Sequence, residues 1–296
     1  MRVQFIHGGR ICAPAVRSGL AILASLLLLF LASPGAQAAG KGCFHVYDAT
    51  LYAGKPDLTP FGVQHLTLVE PQRWWKLANA TPDQRHDIVV KETAKLVDNK
   101  DPVIVDLELP LAKNDAAAEN LKLYQDVMDW MRAAGYTKPL SYYASLPVRD
   151  YWRAQRGPGS PQYRDWQADN DQLTPIVAKV DALYPSLYTF YPDQDGWARY
   201  AKANIAEARR IGGGRPVYPF LWPQYHDSAH GLAYQYLDSK YWMRQLQIVG
   251  ALADGVVIWG GYDTQNNKRQ DWDPQAPWWQ ATQAYIKSRP DICKPD

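Results

Sequence analysis

Long apolar runs, cysteines and an excess of either charge are all in short supply in this 296-residue sequence. The one long apolar stretch, residues 19–32, is too short to favour a membrane span, and nothing after it approaches one. It has the form of a cleaved secretory leader instead. Arg2, Arg10 and Arg17 precede it, Leu26 to Phe30 form its centre, and Ala36-Gln37-Ala38 supply a cleavage site. Residues 1–38 are therefore expected to leave. Residues 39–296 then form a single domain, secreted or periplasmic, with no membrane anchor. A lipid anchor is not expected, because Gly40-Lys41-Gly42 precede Cys43 in place of a leucine and small residues. The 32 basic side chains become 29 once the three leader arginines go, against 30 acidic ones, a net charge of −1. So small an imbalance gives no reason to expect nucleic acid as a partner. Of three cysteines, Cys12 leaves with the leader. In an oxidising compartment Cys43 and Cys293 invite a disulfide, two unpaired thiols being the alternative.

Phenylalanine and methionine are scarce, at six and four, whereas tyrosine and tryptophan reach nineteen and twelve. Rings with polar edges serve packing, and they also serve sugar-binding clefts. Along the chain, strand-like runs alternate with helical ones. The strand-like runs are residues 44–47, 62–69, 102–105, 140–144, 183–188, 216–221 and 255–259. Thr81-Pro82 opens a helix running to about Val97. Ala117, Leu121, Tyr124, Met128 and Met131 repeat at three and four as the face of another, which Gly135 closes. Further helices are expected before Val180, over 195–211 and over 238–252. Seven strands joined mostly by helical crossovers predict an α/β fold with a parallel sheet, and the length favours a distorted TIM-like (β/α) barrel. An open, doubly wound sheet is the runner-up, but no glycine-rich phosphate loop follows the first strand.

Asp106-Leu107-Glu108 ends the apolar run Val103-Ile104-Val105. Side chains at i and i+2 of a strand point the same way, roughly 6.6 Å apart at about 3.3 Å per residue. Both carboxylates would then aim beyond the strand's carboxyl end, where α/β barrels do their chemistry. Like charges so placed push one pKa up, which keeps an acid protonated for proton donation. Helix capping or pairing with a surface lysine is the alternative role. The other strand ends supply Tyr47, Asp48, Glu70, Tyr142, Tyr143, Tyr188, Trp222, Tyr225, Asp227, Trp259, Tyr262 and Asp263. That ring is aromatic and acidic, and it lacks a Ser-His or Cys-His nucleophile. His226 and His230 flank a loop with no third ligand nearby, so neither a metal nor a cofactor is expected. Carboxylates among tryptophans and tyrosines suit glycoside cleavage.

Five segments in order resemble the hyaluronidase family of glycoside hydrolases, family 56. They are Asp106-Leu107-Glu108; Ser141-Tyr142-Tyr143 continuing to Pro147; Tyr184-Pro185-Ser186-Leu187-Tyr188; Val217, Pro219, Trp222, Tyr225 and Asp227; and Ala253 to Gly260 around Trp259. The resemblance implies a distorted seven-stranded barrel, with a disulfide joining the first strand to the C-terminal region. It also implies substrate-assisted cleavage of a polysaccharide containing N-acetylhexosamine. Glu108 would be the acid and base, Asp106 would hold the acetamido group, Tyr188 would bond near it, and Trp259 would wall the pocket. Trp222, Tyr143, Tyr225, Asp227 and Tyr47 are the further substrate-binding candidates, and a monomer is expected. Two features depart from the family. Leu109-Pro110-Leu111 stands where a Trp-Arg-Pro-type segment usually follows, and Phe220 where many members carry a pocket tyrosine. A non-catalytic glycan-binding barrel and a muramidase-like cell-wall hydrolase are the competing readings.

Overall fold

Alternation along the strands sorts their side chains between two cores. In the first strand, β1 (His45–Thr50), Val46 joins the larger core while Tyr47 and Ala49 join a smaller one. In β4 (Val103–Val105), Val103 and Val105 face the helices and Ile104 faces the smaller core. In β7 (Gly255–Gly260), Val256 and Ile258 face outward while Val257 and Trp259 face inward. This two-residue period is the pleat of strands covered on both sides. Burying each such valine or isoleucine stabilises the fold by about 1.5–3 kcal/mol. The computed structural model describes residues 42–69 and 80–295. The expected leader and Glu70 lie outside the described residues.

The fold is α/β with parallel sheets. One sheet has the order β2 (Gln64–His65), β1, β7, β6 (Phe220–Leu221). A second has the order β3 (Thr67–Val69), β4, β5 (Leu140–Tyr142). The longest register pairs His45 with Gly255 through to Thr50 with Gly260. Isolated parallel bridges from Tyr143 to Tyr184, from Leu183 to Val217 and from Ser186 to Phe220 carry the pairing from β5 across residues 183–188 to β6.

Three of the expected strands are thereby corrected. Residues 62–69 form two short strands that serve different sheets, parted by Leu66, whose side chain enters the smaller core. Residues 183–188 pair only through single bridges, because Pro185 has no N–H to donate. The run at 216–221 likewise reduces to Phe220–Leu221, between Pro219 and Pro223.

Helices cover the outside, each started by a local device. In α1 (Pro82–Ala94) the Thr81 side chain accepts from Gln84 N–H and the Gln84 side chain accepts from Thr81 N–H. The helix ends three residues earlier than its sequence pattern suggests. Then α2 (Ala117–Ala133) buries Leu123, Tyr124, Val127, Met128 and Met131, and α3 (Pro161–Asp171) starts on Ser160. Asp193 caps α4 (Gln194–Gly212), and Asp238 caps α5 (Ser239–Leu252). Some elements carry no expectation from the sequence, the largest near the C-terminal end of the described residues. These largest ones are the hairpin β8 (Tyr262–Asp263) with β9 (Lys268–Arg269), and α6 (Pro277–Lys287). Cys43 and Cys293 are joined as a disulfide with Cα atoms 4.8 Å apart. Among the described residues no helix is long and apolar enough to cross a membrane.

Candidate active site

The strand β4 stops at Val105, so strand geometry alone does not align the two carboxylates. Asp106 continues the inward parity of Ile104 and is buried, with its backbone N–H donating to Val69 O at 3.0 Å. Glu108 then takes φ 34°, a left-handed conformation. Such a backbone costs a non-glycine residue of order 1–3 kcal/mol and persists only where its surroundings impose it. The Tyr124 hydroxyl imposes it here: it accepts from Leu109 N–H at 3.1 Å and donates to Leu109 O at 3.4 Å. It also accepts from Ser145 Oγ at 3.2 Å. Asn120 adds a bond from Nδ2 to Pro110 O at 2.8 Å. The turn leaves the Glu108 side chain 44% exposed at the rim while Asp106 stays inside.

Both carboxylates line one cavity of about 320 Å³. Tyr143, Tyr188, Trp222, Asp227 and Trp259 line it with them, so seven of the nine residues expected at the site come together. Tyr188 stacks on Trp259 with centroids 5.7 Å apart and planes at 29°, and Trp222 meets Trp259 edge-on at 4.6 Å. The indole N–H of Trp222 donates to Gln224 Oε1 at 3.0 Å, and Gln224 Nε2 donates to Tyr234 O at 2.6 Å, which fixes that wall. Burial pushes the Tyr188 phenol well above its ordinary range, and Tyr143, Asp106 and Glu108 push the same way. Tyr188 therefore keeps its proton, and it lines the cavity together with both carboxylates.

Tyr47 and Tyr225 stand elsewhere. The first strand runs on to Thr50, so Tyr47 sits below the rim, packed against Tyr218 at 5.5 Å with its hydroxyl on His45 Nδ1 at 3.2 Å. The rim position beyond β1 falls to Leu51. Gln224 turns inward toward Trp222, and Tyr225 beside it packs against the larger core under the helices. Phe220 is fully buried beneath the cavity, 4.8 Å from the Tyr143 ring.

Sequence reasoning gave Arg149, His226 and Thr264 no place in the site. Arg149, on the loop after β5, brings Nη1 to 3.6 Å from Glu108 Oε1 and holds its guanidinium 5.8 Å from the Phe190 ring centre. The arginine absent from the segment after Glu108 is thus matched by one reaching Glu108 from another loop. Loops carry no periodicity, so no signal in the sequence marks it. His226 is half-buried against Phe190, and burial lowers its pKa, Asp227 opposing and Arg149 reinforcing the shift. Thr264 on the hairpin donates to Asp227 Oδ2 at 2.6 Å. Gly261, at φ 78°, allows the turn into that hairpin, since a Cβ there would lie 2.6 Å from Tyr52.

A second cavity, of about 180 Å³, adjoins the first and shares Glu108, Tyr143 and Arg149 with it. Leu109, Pro110, Leu111, Tyr124, Ala144, Ser145 and Val148 complete it. Glu108 thus stands between two hollows, one walled by stacked aromatics and one by the turn that follows Glu108.

No family model matches the chain, and no curated protein does. Solved structures with some likeness include bee venom hyaluronidase, at TM-score 0.44 and 16% identity over 79% of this chain and 71% of that one. The catalytic domain of a mannanase from Streptomyces sp. SirexAA-E reaches 0.44 at 14% identity over 86% and 88%. The spore cortex-lytic enzyme SleL of Bacillus megaterium QM B1551 reaches 0.45 at 10% identity over 85% and 68%. Likeness at this level assigns no reaction to the chain, and the side chains have to supply it.

Proposed function

We propose that the chain is an exported, monomeric glycoside hydrolase of distorted (β/α)-barrel form that cleaves a polysaccharide containing N-acetylhexosamine. The reading is carried by the convergence of Glu108, Asp106, Tyr188 and Trp259 on one cavity, with Glu108 at the border of a second. An acid between two hollows suits cleavage within a glycan, one sugar on either side of it. In this reaction the acetamido oxygen of the sugar among the aromatics attacks its own anomeric carbon. The bond to the leaving oxygen breaks as Glu108 protonates that oxygen. Water then attacks the same carbon, giving a proton to Glu108, and the acetamido group is released. Asp106 accepts the acetamido N–H and orients it, while Tyr188 donates nearby. The disulfide suits an oxidising compartment.

Glu108→Gln is expected to lower kcat by 10²–10⁴-fold with the thermal transition unchanged. Release of reducing ends from hyaluronan, chondroitin, chitin and peptidoglycan fragments is the measurement. A wild type silent on all four overturns the reading, and binding without turnover selects a non-catalytic glycan-binding barrel. Cleavage of a de-N-acetylated glycan at an undiminished rate rules out the acetamido nucleophile. Lysis of cell walls alone selects the muramidase-like alternative. Asp227 is a third carboxylate in the cavity, but Thr264 holds one of its oxygens and His226 Nδ1 lies 2.9 Å from the other. It is accordingly read as wall, and not as nucleophile.

A further inference from the structure

Among the described residues, Trp152 is the most exposed large hydrophobic side chain, at 58%, and Tyr191 beside it is 38% exposed. Their ring centres are 5.0 Å apart, with the planes at 49°. Beneath both lies Tyr151, 5.2 Å from Trp152 and 4.8 Å from Tyr191, itself packed on the buried Tyr200 at 5.0 Å. The two outer rings thus rest on an aromatic floor. Two adjoining aromatic rings kept in water on such a base form a small exposed apolar patch.

Two chain segments connect the pair to residues of the cleft. Trp152 lies three residues beyond Arg149, which lines both hollows and approaches Glu108. Tyr191 follows Phe190, over whose ring the same guanidinium stands. We propose that Trp152 and Tyr191 form a stacking shelf for a pyranose ring farther along the same glycan, on the Arg149 side of Glu108. The apolar C–H face of a sugar lies flat on an indole while its hydroxyls stay in water, which needs an open ring at a fixed tilt. Area also favours a sugar over a second copy of the chain. The exposed parts of the two rings amount to roughly 200 Å², against about 800 Å² per partner in a stable protein interface.

The shelf rests on the hydrolase reading above, and its test separates the two. The probe is whichever of the four glycans the wild type cleaves, used as polymer and as the shortest oligomer cleaved. The double variant Trp152→Ala, Tyr191→Ala is expected to raise KM for the polymer about tenfold. Its kcat, and both constants for the oligomer, should stay within about twofold of wild type. Trp152→Phe, which keeps a flat ring, should hold the polymer KM close to the wild-type value. An unchanged polymer KM in the double variant overturns the shelf and leaves the hydrolase standing. An equal loss on the oligomer also overturns it, because the damage then lies at the cleavage point. A wild type that sediments as a dimer split by Trp152→Ala makes the patch a self-contact and overturns the shelf. If the wild type cleaves none of the four glycans, both proposals fall.

Discussion

Tyr124 shows how a side chain outside the cavity that holds the two carboxylates can govern it. Its phenol ties down both backbone groups of Leu109, and with them the left-handed turn that presents Glu108. Tyr124→Phe should cost about 1 kcal/mol of stability. It should lower kcat about tenfold or more as the acid loses its placement, which denaturant titration and steady-state kinetics would check. His226 offers a second test. Its pKa is lowered in the fold, so the unfolded chain binds the proton at higher pH. Its contribution to stability is complete above the unfolded value of about 6.5 and is lost as pH falls below it. Melting temperature between pH 8 and 5 should therefore fall less in His226→Gln than in wild type. Residues of this kind were only partly legible. Asp106 and Glu108 announce themselves by their spacing at the end of an apolar run. Arg149 sits in a loop with no pattern to mark it, and His226, inspected as a metal ligand, belongs to the cavity wall instead.

Elements explain the misplaced tyrosines. Alternation correctly gives Tyr47 an inward direction, but β1 extends three residues beyond it, and depth in the sheet is set by where pairing with β7 stops. Such a limit lies in the partner strand and cannot be read from β1 alone. The proline-interrupted stretches at 183–188 and 216–221 were legible as apolar runs, yet their missing donors break the ladder into single bridges. The helix start at Thr81-Pro82 was legible in the sequence, because a cap is written in adjacent residues, and α5 starts on a cap of the same kind. Asp238 accepts from the N–H groups of Lys240 and Tyr241, each at 3.0 Å. Replacing it with alanine should cost about 1 kcal/mol. The melting temperature should drop by about 2–4 °C, with kcat unchanged, since α5 begins away from the cavity.

At the scale of the molecule, parallel pairing runs from β3 through β4, β5, residues 183–188, β6, β7 and β1 to β2, and only Leu66 separates the last from the first. The order of elements was legible because strand and helix periods alternate down the whole chain; the division of residues 62–69 between two sheets was not, because both halves bury apolar groups alike. Closing 250 residues, the disulfide constrains the unfolded ensemble by about 5 kcal/mol in the chain-entropy model. The Cys43→Ser, Cys293→Ser variant should unfold at correspondingly lower denaturant, with activity at 25 °C retained.

Phe44 pairs with Ile292 just before β1 begins, at the amino ends of the parallel strands, whereas Asp106, Glu108, Tyr188 and Trp259 gather at or beyond their carboxyl ends. The bridged cysteines and the cleft thus occupy opposite poles. A linker, bead or surface joined beside either cysteine would hold the molecule by its back, leaving the cleft facing outward to meet a long, slowly diffusing chain.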